Sequence, residues 1–270
     1  MARAALSFAF SPCPNDTFAF HALVHGLVEG PRVAPHIDDI EALNARAERG
    51  EAEATKISVA AFGRVRDRYA LLRSGGAAGF GVGPIVVARG ARDVGGRVAI
   101  PGERTTAALL LRLLGSFDTV ALRFDRIADA VLAGDVDCGV LIHEGRFTYA
   151  GRGLVLLRDL GEAWEERMGC PLPLGAVAIR RDLAARAGEL DAAIRVSLDR
   201  AWADPAASRD FVRAHAQEMD PEVVERHIRL YVNQYTRALD EAAVERLLGF
   251  AVEAGFCPPS SLPVFARPAC

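Results

Sequence analysis

Lysine is nearly missing from this sequence: of 32 basic residues, 31 are arginine and one, Lys56, is lysine. The five cysteines, at positions 13, 138, 170, 257 and 270, include no CxxC spacing and are odd in number. That argues against a disulfide framework and a zinc cluster, and it suits a reducing compartment. No block of one sign of charge occurs, and 32 basic against 35 acidic residues leave a net charge of −3. Neither nucleic acid nor a membrane surface is therefore expected as a partner. No run reaches the roughly 18 apolar residues that a spanning helix needs. The opening MARAALSFAFSPCPND has an apolar stretch of only about seven residues behind one arginine, with no small-residue cleavage site. It reads as a first strand rather than an export signal, and a soluble, cytoplasmic protein is expected.

What is present is a large apolar fraction, 51%, beside 25% charged and 7% aromatic residues. This is ample for a core and excludes a disordered or collagen-like chain. A length of 270 residues points to two lobes. Short apolar runs alternate with amphipathic stretches, which is the pattern of an α/β fold. Strands are expected at 6–10, 54–57, 69–72 and 84–88, with helices at 16–28, 40–48 and from Val59. A second βα set follows, with strands at 97–100, 120–124, 138–142 and 154–157 and helices at 105–114 and 126–133. After a strand at 176–179 the rest reads as helix, at 183–203, 205–216, 221–232 and 241–254. Such a tail is too poor in strands to form its own α/β unit. We therefore expect a larger lobe of residues 1–88 plus 177–270 and a smaller one of 89–176. Two crossings between them would create a hinged cleft.

Three segments at strand ends could build a site there, because ligands of open α/β sheets bind beyond the carboxyl ends of strands. In Thr55-Lys56-Ile57-Ser58, helix N–H groups, the Ser58 hydroxyl and the Lys56 ammonium would favour an anion. A capped helix beside a solvated lysine fits the same residues. An arginine-rich chain that keeps one lysine points to a position where a flat guanidinium does not fit. On that ground Lys56→Arg is expected to weaken ligand binding with little loss of stability. The second turn, 101–107 (PGERTTA), offers the Thr105 and Thr106 hydroxyls and the first N–H groups of a helix. It lacks the GxxxxGK[ST] of a phosphate loop. The third, 140–146 (VLIHEGR), carries His143 to a strand end, where it can act as a general base or as a backbone-bonded structural histidine. His21 and His25 have a metal-compatible spacing but no third ligand. Asn15 sits in the rigid SPCPND loop and is a possible cleft residue. Cys13 in that loop has no local partner to make it a nucleophile.

SPCPNDTFAF at 11–20, TKIS at 55–58, RSGGAAGFGVGP at 73–84, PGERTTA at 101–107 and IHEGRFTY at 142–149 stand in one order along the chain. In this the sequence resembles the 1,4-dihydroxy-6-naphthoate synthases of the futalosine route to menaquinone. The resemblance implies a two-lobed fold like the type II periplasmic binding proteins, with a central ligand cleft. It also implies cleavage of a carbon–carbon bond in cyclic dehypoxanthine futalosine, a small-molecule carboxylate, and it implies no metal or organic cofactor. His143 matches the family's proton acceptor, and Lys56, Ile57, Ser58, Thr106 and Ala107 match its substrate-contacting stretches. Two rivals remain at this point. One is a non-catalytic solute-binding or sensor protein of the same fold. The other is the sister enzyme chorismate dehydratase, which lacks SPCPNDTF.

Overall fold

Phe8 and Phe10 on the first strand meet Phe20 on the first helix edge-on, with ring centroids 5.0 and 5.4 Å apart, and start one core of the molecule. The computed structural model describes residues 4–217 and 220–266. Cys270 lies outside them. The chain opens with β1 (Leu6–Phe10), α1 (Pro14–Val24), β2 (Val33–Ile37), α2 (Ile40–Glu48), β3 (Ala54–Ser58), α3 (Val59–Val65), β4 (Tyr69–Leu71) and β5 (Ala77–Gly79). It continues through β6 (Ile85–Ala88), β7 (Arg97–Ile100), α4 (Thr106–Leu111), β8 (Asp118–Ala121), α5 (Ile127–Ala133), β9 (Cys138–Leu141), α6 (Gly145–Thr148), β10 (Val155–Asp159) and α7 (Leu160–Met168). It closes with β11 (Leu172–Arg180), α8 (Ala187–Ala203), α9 (Arg209–His215), α10 (Pro221–Tyr231), α11 (Gln234–Arg237) and α12 (Glu241–Glu253).

These strands form two sheets. One has the order β2-β1-β3-β11-β4, with β5 also on β11, and the other has the order β10-β6-β9-β7-β8. The chain crosses to the second sheet between β5 and β6 and returns between β10 and β11. The expected limits at 88 and 177 are offset, because β6 already belongs to the second sheet and β11 already begins at Leu172. Both strands are apolar and buried, and such a run has no periodicity that reports which sheet it joins.

Local chemistry explains the other differences. The first helix starts at Pro14 rather than Asp16, because proline is preset for the first turn, and Cys13 caps it without a side-chain bond. The unexpected β2 contains Pro35, which only an edge position tolerates, and β2 is an edge. The unexpected α7 is capped by Asp159, which accepts from Gly161 and Glu162, and it ends at Gly169 with φ 64°. Gly75 has φ 81°, and an added Cβ would lie 2.7 Å from Val177 Cγ2, so only glycine fits that turn.

Candidate active site

β1 and β3 run parallel and end on the same edge of the first sheet, so the loop after β1 and the end of β3 share one cleft wall. α4 and the end of β9 bring the facing wall from the second sheet, and α10 closes the far end with Tyr231. Together they enclose a cavity of about 640 Å3, open space at its mouth included. Its polar groups come from Ser11, Asn15, Asp16, Lys56, Thr105 and His143. Ile40, Val82, Pro84, Ile142 and Leu174 supply much of the apolar surface.

Lys56 is only 4% exposed. Its Nζ donates to Asp16 Oδ1 at 2.7 Å and to the Gly75 carbonyl at 2.7 Å, which leaves one of its three donors. The ammonium also lies 5.6 Å from the Phe20 ring centroid. Asp16 Oδ1 also accepts from Asn15 Nδ2 at 2.9 Å, and its other oxygen, Oδ2, accepts from the Ser11 hydroxyl at 2.7 Å. The cation is thus neutralised by a carboxylate before any ligand arrives. This differs from the solvated or free charge that its place at a turn implies.

Strand alternation points Ile57 away from Lys56, and it is fully buried in the core. The Ser58 hydroxyl does not cap α3 but accepts from Asn44 Nδ2 at 3.0 Å, and the Ser58 N–H donates to Asn44 Oδ1 at 2.9 Å. Neither residue is among those lining the cavity, whereas Asn15, Lys56, Thr105, Thr106, Ala107 and His143 all are. Thr105 caps α4 by accepting from Ala108 N–H at 3.1 Å. The Thr106 hydroxyl donates to the Leu174 carbonyl at 2.7 Å and accepts from Ala60 N–H at 3.3 Å. The helix start therefore offers a ligand its first-turn N–H groups rather than these two hydroxyls.

His143 follows β9 with φ 54°, the one positive φ at a non-glycine among the described residues. Such backbone is costly and recurs at functional sites. Burial lowers its pKa to about 4; the Asp16 charge opposes this and Lys56 reinforces it. At neutral pH the ring is therefore neutral with a free lone pair. Cys13 Sγ lies 3.3 Å from its Nδ1. Burial, then the Glu144 and Asp16 charges, push the Cys13 thiol well above its ordinary range, so the pair is thiol and imidazole rather than thiolate and imidazolium. The rings of Phe124 and His227 flank His143 at 5.1 and 6.2 Å.

The sequence places Asp16 only at the start of the first helix and singles out none of Ser11, Tyr231 and His227. The strand-end position of the SPCPND loop was a usable signal for the first two of the four. No local signal marks Tyr231 or His227, which a distant tail helix delivers. His21 and His25 stack at 4.5 Å on α1, away from this cavity. Among the described residues no three His, Cys, Asp or Glu side chains gather as a metal set. No described helix is long and apolar enough to cross a membrane.

A protein family described as menaquinone biosynthesis matches residues 6–253. The 1,4-dihydroxy-6-naphthoate synthase of Thermus thermophilus is 50% identical over 97% of this chain and 99% of its own. That of Streptomyces coelicolor is 48% identical over 96% of each. Among solved structures, protein AF1704 from Archaeoglobus fulgidus matches with a TM-score of 0.89 and 40% identity, covering 93% of this chain and 98% of that one. The alkanesulfonate-binding protein SsuA from Xanthomonas axonopodis pv. citri matches with a TM-score of 0.73 and 16% identity, covering 98% and 97%. The fold is therefore that of the periplasmic binding proteins.

Proposed function

This chain belongs to the menaquinone biosynthesis family, and from that membership we propose that it is the carbon–carbon lyase converting cyclic dehypoxanthine futalosine to 1,4-dihydroxy-6-naphthoate, with His143 as general base. The observation that carries the base is His143 itself, a strained, neutral imidazole at a strand end, facing a cavity between two sheets. Its lone pair takes a carbon-bound proton, the C–H electrons become a new double bond, and the pair of the adjoining carbon–carbon bond leaves with the departing fragment, which takes the proton back from the imidazolium; formation of the aromatic naphthoate supplies driving force. Asp16 lies close enough to favour the imidazolium that forms.

The remaining Lys56 donor and the first-turn N–H groups of Thr106 and Ala107 hold the substrate's carboxylate and ring hydroxyls. Asn15 and Thr105 line the same space. Ile57 and Ser58 serve through the strand that seats Lys56, since their side chains face elsewhere. Closure of the two lobes excludes water from the base.

Incubation of the protein with cyclic dehypoxanthine futalosine is expected to yield the naphthoate, detected by mass spectrometry. His143→Ala is expected to lower turnover by at least about a hundredfold, the lower range for a lost general base, while substrate still binds. Near-normal turnover by that variant removes His143 from the mechanism. Tight binding by the wild type without product returns the protein to the solute-binding reading.

A further inference from the structure

His227 lies on α10 with no exposed surface, and its Nε2 is 2.9 Å from Asn15 Oδ1. The protons along this chain of contacts are set by the acid at its far end. Asp16 accepts from Lys56 at 2.7 Å, and as a carboxylate it can only accept. The Asn15 group 2.9 Å from Asp16 must then be the amide NH2, which turns Asn15 Oδ1 toward His227. An amide oxygen also only accepts, so His227 must carry its proton on Nε2. Its Nδ1 is left as a bare lone pair, and that atom is buried without a hydrogen-bond partner. Burial, and next the neighbouring His143, hold the His227 pKa well below its ordinary value, consistent with a neutral ring. A buried orphan acceptor is costly.

We infer, resting on the reading of this cavity as the reaction site, that His227 is a positioning residue for the reaction. By donating to Asn15 it locks the amide in one orientation, so that one Asn15 N–H clamps Asp16 and the other is left for bound substrate. The same lock keeps Asp16 under Lys56. The His227 ring also backs His143 at 6.2 Å, with planes inclined by 28°, and is enclosed by Tyr231 at 4.6 Å and Phe147 at 6.3 Å. Replacing the ring without its donor and replacing the donor without its ring therefore have different consequences.

Two variants separate these roles. His227→Phe keeps the ring and removes the donor; His227→Gln supplies a side-chain N–H near the place of Nε2. His227→Phe is expected to lower kcat/KM about tenfold to a hundredfold, the range that one unsatisfied buried polar group produces, with Tm close to wild type. His227→Gln is expected to recover turnover to within about threefold, less than the loss of that bond. In an Asn15→Ala background, His227→Phe is expected to cost little more, because the two act as a unit. Wild-type turnover in His227→Phe, or losses in both variants that follow Tm, overturn the inference. Imidazole 15N spectra read the same point without substrate: a proton on Nε2 of His227 supports it, and a proton on Nδ1 overturns it. If the wild type makes no naphthoate, the functional reading fails, and the spectra alone decide this one.

Discussion

Lys56 is the residue at which composition and structure meet. A sequence with 31 arginines keeps one lysine, and that lysine proves to be buried against a carboxylate, a backbone carbonyl and a phenyl ring. Both hydrogen bonds are made by one compact ammonium, a geometry that a wider planar head does not reproduce. Burial revises the expectation of little loss of stability. Lys56→Arg is now expected to cost about 1–3 kcal/mol of stability from overpacking, as well as to weaken substrate binding. Urea denaturation and calorimetric titration measure the two effects, and an arginine variant as stable and as tight-binding as wild type removes this account. The lysine was legible as an anomaly, and so was its strand-to-helix turn. Its partner was not, because Asp16 sits 40 positions away, and only the parallel pairing of β1 with β3 brings the two together.

At the scale of elements, α2 faces the turn before α4 across the mouth of the cleft. Arg104 in that turn donates from Nε to Glu48 at 2.7 Å and from Nη1 to Glu41 at 2.8 Å, and its backbone N–H reaches Glu41 as well. The two acids lie seven residues apart, two helical turns, and so share one face of α2. Arg104 immediately precedes Thr105 and Thr106, so this fork ties the α4 start to the opposite wall. These groups are partly exposed, with side chains 22–31% accessible, and their contribution to stability is small. If the two walls close on substrate, this fork is expected to favour the closed arrangement. Arg104→Ala is expected to raise KM severalfold and leave Tm almost unchanged. Added salt is expected to raise KM of the wild type but not of the variant. A KM equal to wild type at low salt would falsify the latch. The sequence showed α2 and α5 plainly, since Gly50 and Gly134 with positive φ follow their last turns, but it did not show α7. It could not show which helices face each other across a cleft.

At the scale of the whole molecule, two buried histidines make folding depend on pH. Both have folded pKa values below the ordinary 6.5, His143 at about 4 and His227 well below, in each case first because burial disfavours the cation. The unfolded chain therefore binds more protons than the folded one between those values. Their contribution to stability is complete above pH 6.5 and is lost as pH falls toward 4. The urea midpoint is expected to drop between about pH 7.5 and about pH 5, and to drop less in a His143→Gln, His227→Gln double variant. Equal pH slopes for the two proteins would count against buried neutral histidines.

The sequence by itself determined the α/β alternation and the family, because these are written in local periodicity, capping and ordered motifs. Only the tertiary structure decided that Lys56 is paired, that Ile57 and Ser58 face away from the cavity, and that His227 backs the site. Those facts depend on which distant segments become neighbours. Burial and hydrogen-bond pairing are properties of that neighbourhood, and no stretch of chain carries them alone.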